Sequence, residues 1–64
     1  MIINGQSENL TAEISLTDYL NKNNYRLNLI VVERNGIIVP KKDYDSVILT
    51  DADTLEIVSF VGGG

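Results

Sequence analysis

The chain contains no cysteine, no histidine and no tryptophan, and it has one proline among 64 residues. Without cysteine there is no disulfide or thiolate metal site, and without histidine no imidazole can act as a base or a zinc ligand. The serine hydroxyls therefore have no imidazole to activate them. A single domain of this size also has little room to enclose a substrate, so the sequence argues against an enzyme that acts alone.

Basic residues are scarce as well, since five lysines and arginines face nine aspartates and glutamates, which gives a net charge of −4. Binding to a nucleic-acid backbone requires clustered basic side chains, so nucleic acid is not an expected partner. An acidic domain is instead suited to dock on a basic protein surface. The apolar runs are too short to cross a bilayer and the first residues do not form a signal peptide. We therefore expect a cytoplasmic protein without a membrane partner, monomeric when free.

Hydrophobic residues make up 44% of the chain, which is enough for a small core. Residues 1–3 followed by Asn4-Gly5 predict a short strand that enters a type I′ turn, because asparagine and glycine tolerate positive φ. Alternating apolar and polar residues over 10–14 predict a second, half-buried strand. Ser15 follows as an N-cap with Asp18 at the third helical position, and the spacing predicts a helix of about nine residues.

Two apolar segments, 27–34 and 37–39, flank Asn35-Gly36 and predict a β-hairpin. Pro40 lacks the N–H that a ladder needs, so the second arm ends there. The remaining predicted elements are a short strand at 47–49, a turn at Asp51-Ala52-Asp53 and a last strand at 54–61. Together the elements predict a two-layer α+β fold, in which one main helix packs on one face of a mixed sheet of four to five strands.

Alternation along the strands also predicts which side chains face away from the helix. Glu56 should face water, so Val58 and Phe60, which alternate with it along the last strand, should also point away from the helix. In the same way, Glu33 places Leu29 and Val31 of the earlier strand on the face away from the helix. The face without a helix then carries an apolar patch formed by Leu29, Val31, Val58 and Phe60. Such a patch is a candidate docking surface, although β-propensity alone would also place apolar residues there.

Three glycines, Gly62, Gly63 and Gly64, close the sequence after a predicted domain of residues 1–61. Glycine has the most conformational freedom to lose, so we expect 62–64 to form a flexible tail. A tail without side chains can thread a narrow channel and present its terminal carboxylate without hindrance. A glycine run alone is also typical of a flexible end with no role.

The order of elements, the two Asn-Gly turns and the ending Ile57-Val58-Ser59-Phe60-Val61-Gly62-Gly63-Gly64 resemble the ubiquitin-like β-grasp sulfur carriers, and most closely the ThiS family of thiamine biosynthesis. Further similar stretches are Val32-Glu33-Arg34-Asn35-Gly36 through Ile38-Val39-Pro40, and the acidic turn with Leu55-Glu56-Ile57-Val58. The resemblance covers the whole chain. One departure is Asp51-Ala52-Asp53, where many relatives have Asp-Gly-Asp. Alanine at positive φ would cost roughly 1 kcal/mol, so we expect this turn to take another shape.

The resemblance implies a carrier protein with no permanently bound cofactor rather than an enzyme. In such proteins an E1-like adenylating enzyme uses ATP to activate the C-terminal carboxylate, here that of Gly64, and a sulfur donor protein supplies the sulfur of a thiocarboxylate. Thiazole synthase then takes that sulfur to build the thiazole ring of thiamine. By the same resemblance, Gly62 and Gly63 would thread the active-site channel of the partner.

Two alternatives share parts of this pattern. The sulfur carrier of molybdopterin synthase has a similar fold, tail and activation but is usually longer. A non-covalent ubiquitin-like binding module would use the apolar patch and leave the glycines without a role. Asp51 and Asp53 also have the composition of a metal pair, but a solvated turn explains them more simply.

Overall fold

The computed structural model describes residues 1–60. Most of its strands are only two residues long, and they are held in place by a few longer elements. In chain order the elements are β1 (Ile2–Ile3), β2 (Gln6–Ser7), β3 (Ile14–Ser15), α1 (Leu16–Lys22), β4 (Ile30–Arg34), β5 (Ile37–Ile38), β6 (Ile48–Leu49) and β7 (Thr54–Ser59). Leu27–Leu29 and Lys41–Asp43 each form a turn of 3₁₀-helix.

Five of the strands form one mixed sheet in the order β2-β1-β7-β4-β5. β1 runs parallel to β7, and the other neighbours are antiparallel. β3 and β6 form a separate two-stranded sheet. Because α1 packs its buried residues on one face of the five-stranded sheet, the predicted α+β architecture of a mixed sheet with one helix is confirmed.

The hydrophobic core lies between α1 and the five-stranded sheet. Leu55 and Ile57 of β7 are buried, whereas Glu56 and Val58 between and beyond them are exposed, so the predicted orientation of the last strand is confirmed. Full burial of one such aliphatic side chain stabilises the fold by roughly 1.5–3 kcal/mol. The buried hydrophobic residues are Met1, Leu16, Tyr19, Leu20, Ile30, Val32, Tyr44, Leu49, Leu55 and Ile57.

The start of α1 has the predicted cap. Ser15 Oγ accepts a hydrogen bond from Asp18 N at 3.1 Å and so satisfies one of the free backbone donors of the first turn. The helix spans seven residues rather than nine. It ends because Asn24, just beyond it, has a φ of +63°, a left-handed conformation that asparagine tolerates and a helix cannot continue through.

Both Asn-Gly turns have the predicted geometry. The φ angles are +49° and +82° at Asn4 and Gly5, and +53° and +85° at Asn35 and Gly36. Positive φ at both central residues defines a type I′ turn, whose twist matches that of an antiparallel pair. The first turn joins β1 to β2 and the second joins β4 to β5.

The predicted strand over residues 10–14 is wrong. β1 pairs with Gln6–Ser7 directly after the turn, and Ile14 is the first residue of β3, which pairs with β6. The backbone between them takes a different partner, since Leu10 N donates to Asp51 Oδ1 at 2.8 Å. Leu10 and Ile14 still pack against the core, so their apolar spacing reflects a segment that crosses the core edge and not a ladder.

The strand predicted over 27–34 begins only at Ile30, because Leu27–Leu29 form a 3₁₀ turn that the bond from Leu29 N to Arg26 O closes at 2.9 Å. Leu29 O nevertheless accepts a hydrogen bond from Phe60 N at 2.7 Å, so backbone pairing with the last strand continues past β4. The last strand itself is Thr54–Ser59, and residue 61 of the predicted strand lies outside the described residues.

The expectation of a solvated turn at 51–53 is wrong for Asp53, which is only 5% exposed. Its carboxylate accepts hydrogen bonds from Arg34 Nε at 3.1 Å, Asn35 Nδ2 at 3.0 Å and Thr50 N at 2.9 Å. Burial alone would raise the pKa of Asp53, but these hydrogen bonds and the charge of Arg34 outweigh it and hold the pKa below its ordinary value. Asp53 thus ties the start of β7 to the β4–β5 hairpin.

Asp53→Asn should lower the free energy of unfolding at neutral pH by about 2 kcal/mol, because it removes charge-assisted hydrogen bonds from a buried site. A carboxyl with a depressed folded pKa stabilises the fold above its unfolded pKa, near ~3.9, and loses that contribution as the pH falls through the folded value. Urea titrations across this acidic range should therefore show a shallower loss of stability in the variant than in the wild type.

The matched control for this titration is Asp43→Asn, since the side chain of Asp43 forms no hydrogen bond with any other residue in 1–60. The free energy of unfolding of the control should fall with decreasing pH as steeply as that of the wild type. An Asp53→Asn variant with the wild-type acid profile would show that Arg34 and Asn35 do not stabilise the charged carboxylate.

Ala52 adopts a conformation without strain, since the non-glycine residues with positive φ in residues 1–60 are Asn4, Asn24 and Asn35. Ala52→Gly should therefore destabilise the domain by about 0.4–1 kcal/mol, because glycine adds freedom to the unfolded chain without relieving anything in the folded one. Gly36→Ala should also destabilise it, by about 1 kcal/mol, since φ there is +85°. Thermal unfolding of both variants tests this, and a more stable Ala52→Gly variant would contradict the described turn.

Candidate functional site

The outer face of the five-stranded sheet, the face opposite α1, carries the predicted apolar patch. Val31 on β4 lies directly opposite Val58 on β7. Val58 is 54% exposed and Phe60 is 56% exposed, whereas Leu29 and Val31 are half-buried. Val31 and Val58 thus share the outer face on the adjacent strands β4 and β7, and Leu29 and Phe60, joined by a backbone hydrogen bond, continue the two strands beside them.

The patch borders the point at which the chain leaves the sheet. Phe60 is the last described residue, and its N–H is held by Leu29 O at 2.7 Å. The predicted site residues Gly62, Gly63 and Gly64 follow after one more residue and lie outside the described residues. The apolar patch is thus separated from the glycines by only one residue of the chain, so a partner that binds the patch is also close to the glycines.

Two exposed isoleucines extend the apolar surface of the outer face, and the sequence reasoning missed both. Ile38 on the edge strand β5 lies opposite Glu33, which places it on the outer face at 62% exposure. Ile2 on β1 pairs with Thr54 and is also exposed. The two-residue Asn35-Gly36 turn fixes the pairing of Ile38 with Glu33. The position of Ile38 on the outer face could therefore have been predicted from the sequence.

Two carboxylates lie beside the apolar patch on the outer face. Glu33 and Glu56 are direct cross-strand partners, one residue pair further along than Val31 and Val58 on the same side. Within residues 1–60 neither carboxylate takes part in an ion pair or a side-chain hydrogen bond. The outer face therefore combines an apolar half next to the end of β7 with an acidic centre.

A second feature, a depression of about 350 Å³, lies away from the outer face between residues 8–14 and α1. Tyr19 Oη donates a hydrogen bond to Glu8 Oε2 at its wall, at 2.9 Å. Burial, together with the hydrogen bond and charge of Glu8, raises the pKa of Tyr19 well above its ordinary value, so the phenol keeps its proton. The pair is a structural contact that closes the 8–14 segment over the helix.

The described residues contain neither a group of acidic side chains with metal-ligand geometry nor a helix of the length and apolarity needed to traverse a bilayer. Of the suggested metal pair, Asp51 Oδ1 accepts from Leu10 N, and both oxygens of Asp53 accept from N–H donors.

Comparison with known proteins gives a match to the model of the ThiS family over residues 1–64. The chain is 41% identical over its full length to part of a thiazole synthase of Paramagnetospirillum magneticum, of which it spans only 20%. It is 53% identical over 36 residues, 56% of the chain, to the sulfur carrier protein ThiS of Bacillus subtilis, of which that segment covers 54%.

The fold is shared with a solved structure. The crystal structure of the thiamine biosynthesis protein ThiS from Geobacter metallireducens superposes with a TM-score of 0.82, over 98% of this chain and 96% of that one, at 24% identity. This confirms the ubiquitin-like β-grasp fold. The chain belongs to the ThiS family, the sulfur carrier proteins of thiamine biosynthesis.

Proposed function

We propose that this protein carries sulfur on the carboxylate of Gly64 and donates it to the formation of the thiazole ring of thiamine. The observation that carries the proposal is the position of the apolar patch, which lies where β7 ends and the three glycines continue the chain. A partner that binds the patch holds the tail within reach of its own active site. Membership of the ThiS family supports the same conclusion.

The proposed activation needs no side chain of this protein. An oxygen of the Gly64 carboxylate attacks the α-phosphorus of ATP, pyrophosphate leaves, and an acyl-adenylate forms. A sulfur nucleophile at the oxidation level of sulfide, delivered by a sulfur donor protein, then displaces AMP and leaves a thiocarboxylate. A carboxylate is a poor electrophile until its oxygen belongs to a good leaving group, and ATP supplies that group.

The glycines suit this chemistry for steric reasons. Gly62 and Gly63 have no side chains, so the tail fits a channel that other residues would block, and Gly64 offers its carboxylate without a Cβ beside it. We propose an E1-like adenylating enzyme as the first partner. It would supply the ATP site and all catalytic groups, which fits a carrier whose sequence has neither histidine nor cysteine.

Thiazole synthase is the proposed second partner, the protein that receives the sulfur. Its support comes from the relatives: the whole length of this chain resembles one part of the thiazole synthase of Paramagnetospirillum magneticum, and 97% of it resembles part of that of Magnetococcus marinus. A segment similar to this chain within a thiazole synthase is what we expect if the carrier and the synthase act in the same reaction. We propose that the separate carrier reaches its synthase through the same outer face.

Incubation of the protein with the adenylating enzyme, ATP and a sulfur donor should raise its intact mass by the difference between one sulfur and one oxygen. Deletion of Gly64 should abolish this gain while the circular dichroism spectrum stays that of the wild type, because end residues contribute little packing. An unchanged wild-type mass, with the enzyme active on another carrier, would count against the proposal. If the deletion variant still supported thiazole formation as well as the wild type does, the protein would instead be a non-covalent binding module.

Phe60→Ala should weaken binding to the adenylating enzyme roughly tenfold, because exposed aromatic side chains at the centre of an interface carry much of its energy. Ile37→Ala is the matched control, since Ile37 is 73% exposed but lies opposite Arg34 and not on the outer face. Titration calorimetry compares the two. Equal affinities of the two variants for the adenylating enzyme would show that the apolar patch is not part of the interface.

A further inference from the structure

The cross-strand acid pair, Glu33 and Glu56, has a geometry that the fold itself does not favour. Directly opposed residues of an antiparallel pair have Cβ atoms about 5 Å apart, and like charges in that position destabilise the sheet. Glu56 is exposed and Glu33 is half-buried, so both carboxylates reach the surface of the outer face. Two carboxylates opposed in this way repel each other, and a positive charge placed between them would relieve that repulsion.

The strands of the five-stranded sheet hold no cation that could relieve it. Arg34 is the one basic residue among β1, β2, β4, β5 and β7. Its side chain points to the opposite face, where Nε and Nη2 bind the two oxygens of Asp53 at 3.1 and 3.2 Å. The charge of Arg34 is therefore neutralised by Asp53, and Glu33 has no ion-pair partner in residues 1–60.

The acid pair is also continuous with the apolar patch. Val31–Val58 and Glu33–Glu56 are alternate rungs of the β4–β7 ladder on one side of the sheet, about 7 Å apart along the strands. A protein that covers the valines therefore also covers the carboxylates. Covering two carboxylates without a counter-charge would cost several kcal/mol each, so a surface that binds here must bring a cation.

We propose that the outer face docks on a partner surface that sets one arginine between Glu33 and Glu56, next to an apolar contact for Val31 and Val58. A planar guanidinium has enough donors to bind both carboxylates at once, which a lysine ammonium does less well. The inference rests on the proposed function, since the partner is the adenylating enzyme that takes the tail. The acid pair fixes the orientation and rate of docking, and the patch supplies the contact area.

The test compares two variants that each remove two negative charges. In the first, Glu33→Gln and Glu56→Gln neutralise the acid pair. In the control, Glu13→Gln and Asp43→Asn neutralise two acids elsewhere, neither of which has an ion pair or side-chain hydrogen bond in residues 1–60. Stopped-flow association and equilibrium titration with the adenylating enzyme are measured from low to high salt.

The acid-pair variant should bind the adenylating enzyme roughly tenfold more weakly at low salt, with a difference that shrinks as salt rises, while the control changes less than twofold. In the same variant the midpoint of urea unfolding should stay equal or rise, because the repulsion is gone. A merely structural role for the two acids would instead lower the midpoint and leave the salt dependence of binding unchanged.

Two outcomes overturn the inference. If the acid-pair variant binds as tightly as the wild type, the partner brings no cation to this place, although modification of wild-type Gly64 would still stand. If the variant binds normally but self-associates in sedimentation, the acids keep copies of the protein apart and do not recruit a partner. Loss of the mass gain in the wild type itself would overturn both this inference and the proposed function.

Discussion

The pairing of β4 with β7 is the constraint on which the rest of the molecule depends. Its register decides that Ile30, Val32, Leu55 and Ile57 meet α1 and that the residues between them form the outer face. A slip of β7 by one residue against β4 would turn the side chains of β7 to the opposite faces and put Glu56 into the core. Asp53 opposes such a slip, because it binds Arg34 and Asn35 just where β7 begins.

The two faces of these strands separate structure from function. The inner face holds the aliphatic core, and two ion pairs lie at its edge in residues 1–60: Arg34 with Asp53, and the N-terminal ammonium of Met1 with Asp51. The outer face keeps side chains that the fold leaves unpartnered in the described residues: an apolar patch and two opposed carboxylates. In so small a domain the same ladder must serve both purposes, and alternation along a strand is the simplest way to do so.

Features set by neighbouring residues were predictable from the sequence. The Asn-Gly turns, the Ser15 cap and the orientation of β7 each depend on residues close together in the chain, and all three are confirmed. Residues 10–14 could not be assigned in the same way, because the partner of Leu10 N is the side chain of Asp51, 41 residues away. Local alternation there imitates a strand whose ladder does not exist.

Asp53 illustrates the same limit at the level of a single side chain. The local sequence Asp51-Ala52-Asp53 predicts a solvated turn. The carboxylate of Asp53 is buried because the β4–β5 hairpin, distant in sequence, packs beside it. For the candidate site, the apolar patch followed from alternation alone. The acid pair did not, because it depends on the register between two strands that are distant in sequence.

The position of β7 in the sheet has a consequence for how the chain is made. This strand lies between β1 and β4 and is hydrogen-bonded to both, yet it is the last strand to be synthesised of those described. Until it emerges from the ribosome, the earlier strands have no central neighbour, and folding must wait for contacts of long sequence separation. A nascent chain cut short before residue 54 lacks the strand that joins the β1–β2 hairpin to the β4–β5 hairpin. The two hairpins then keep unpaired edges that chaperones and proteases can bind, and the complete sheet forms only after the strand that leads to the glycines has been made.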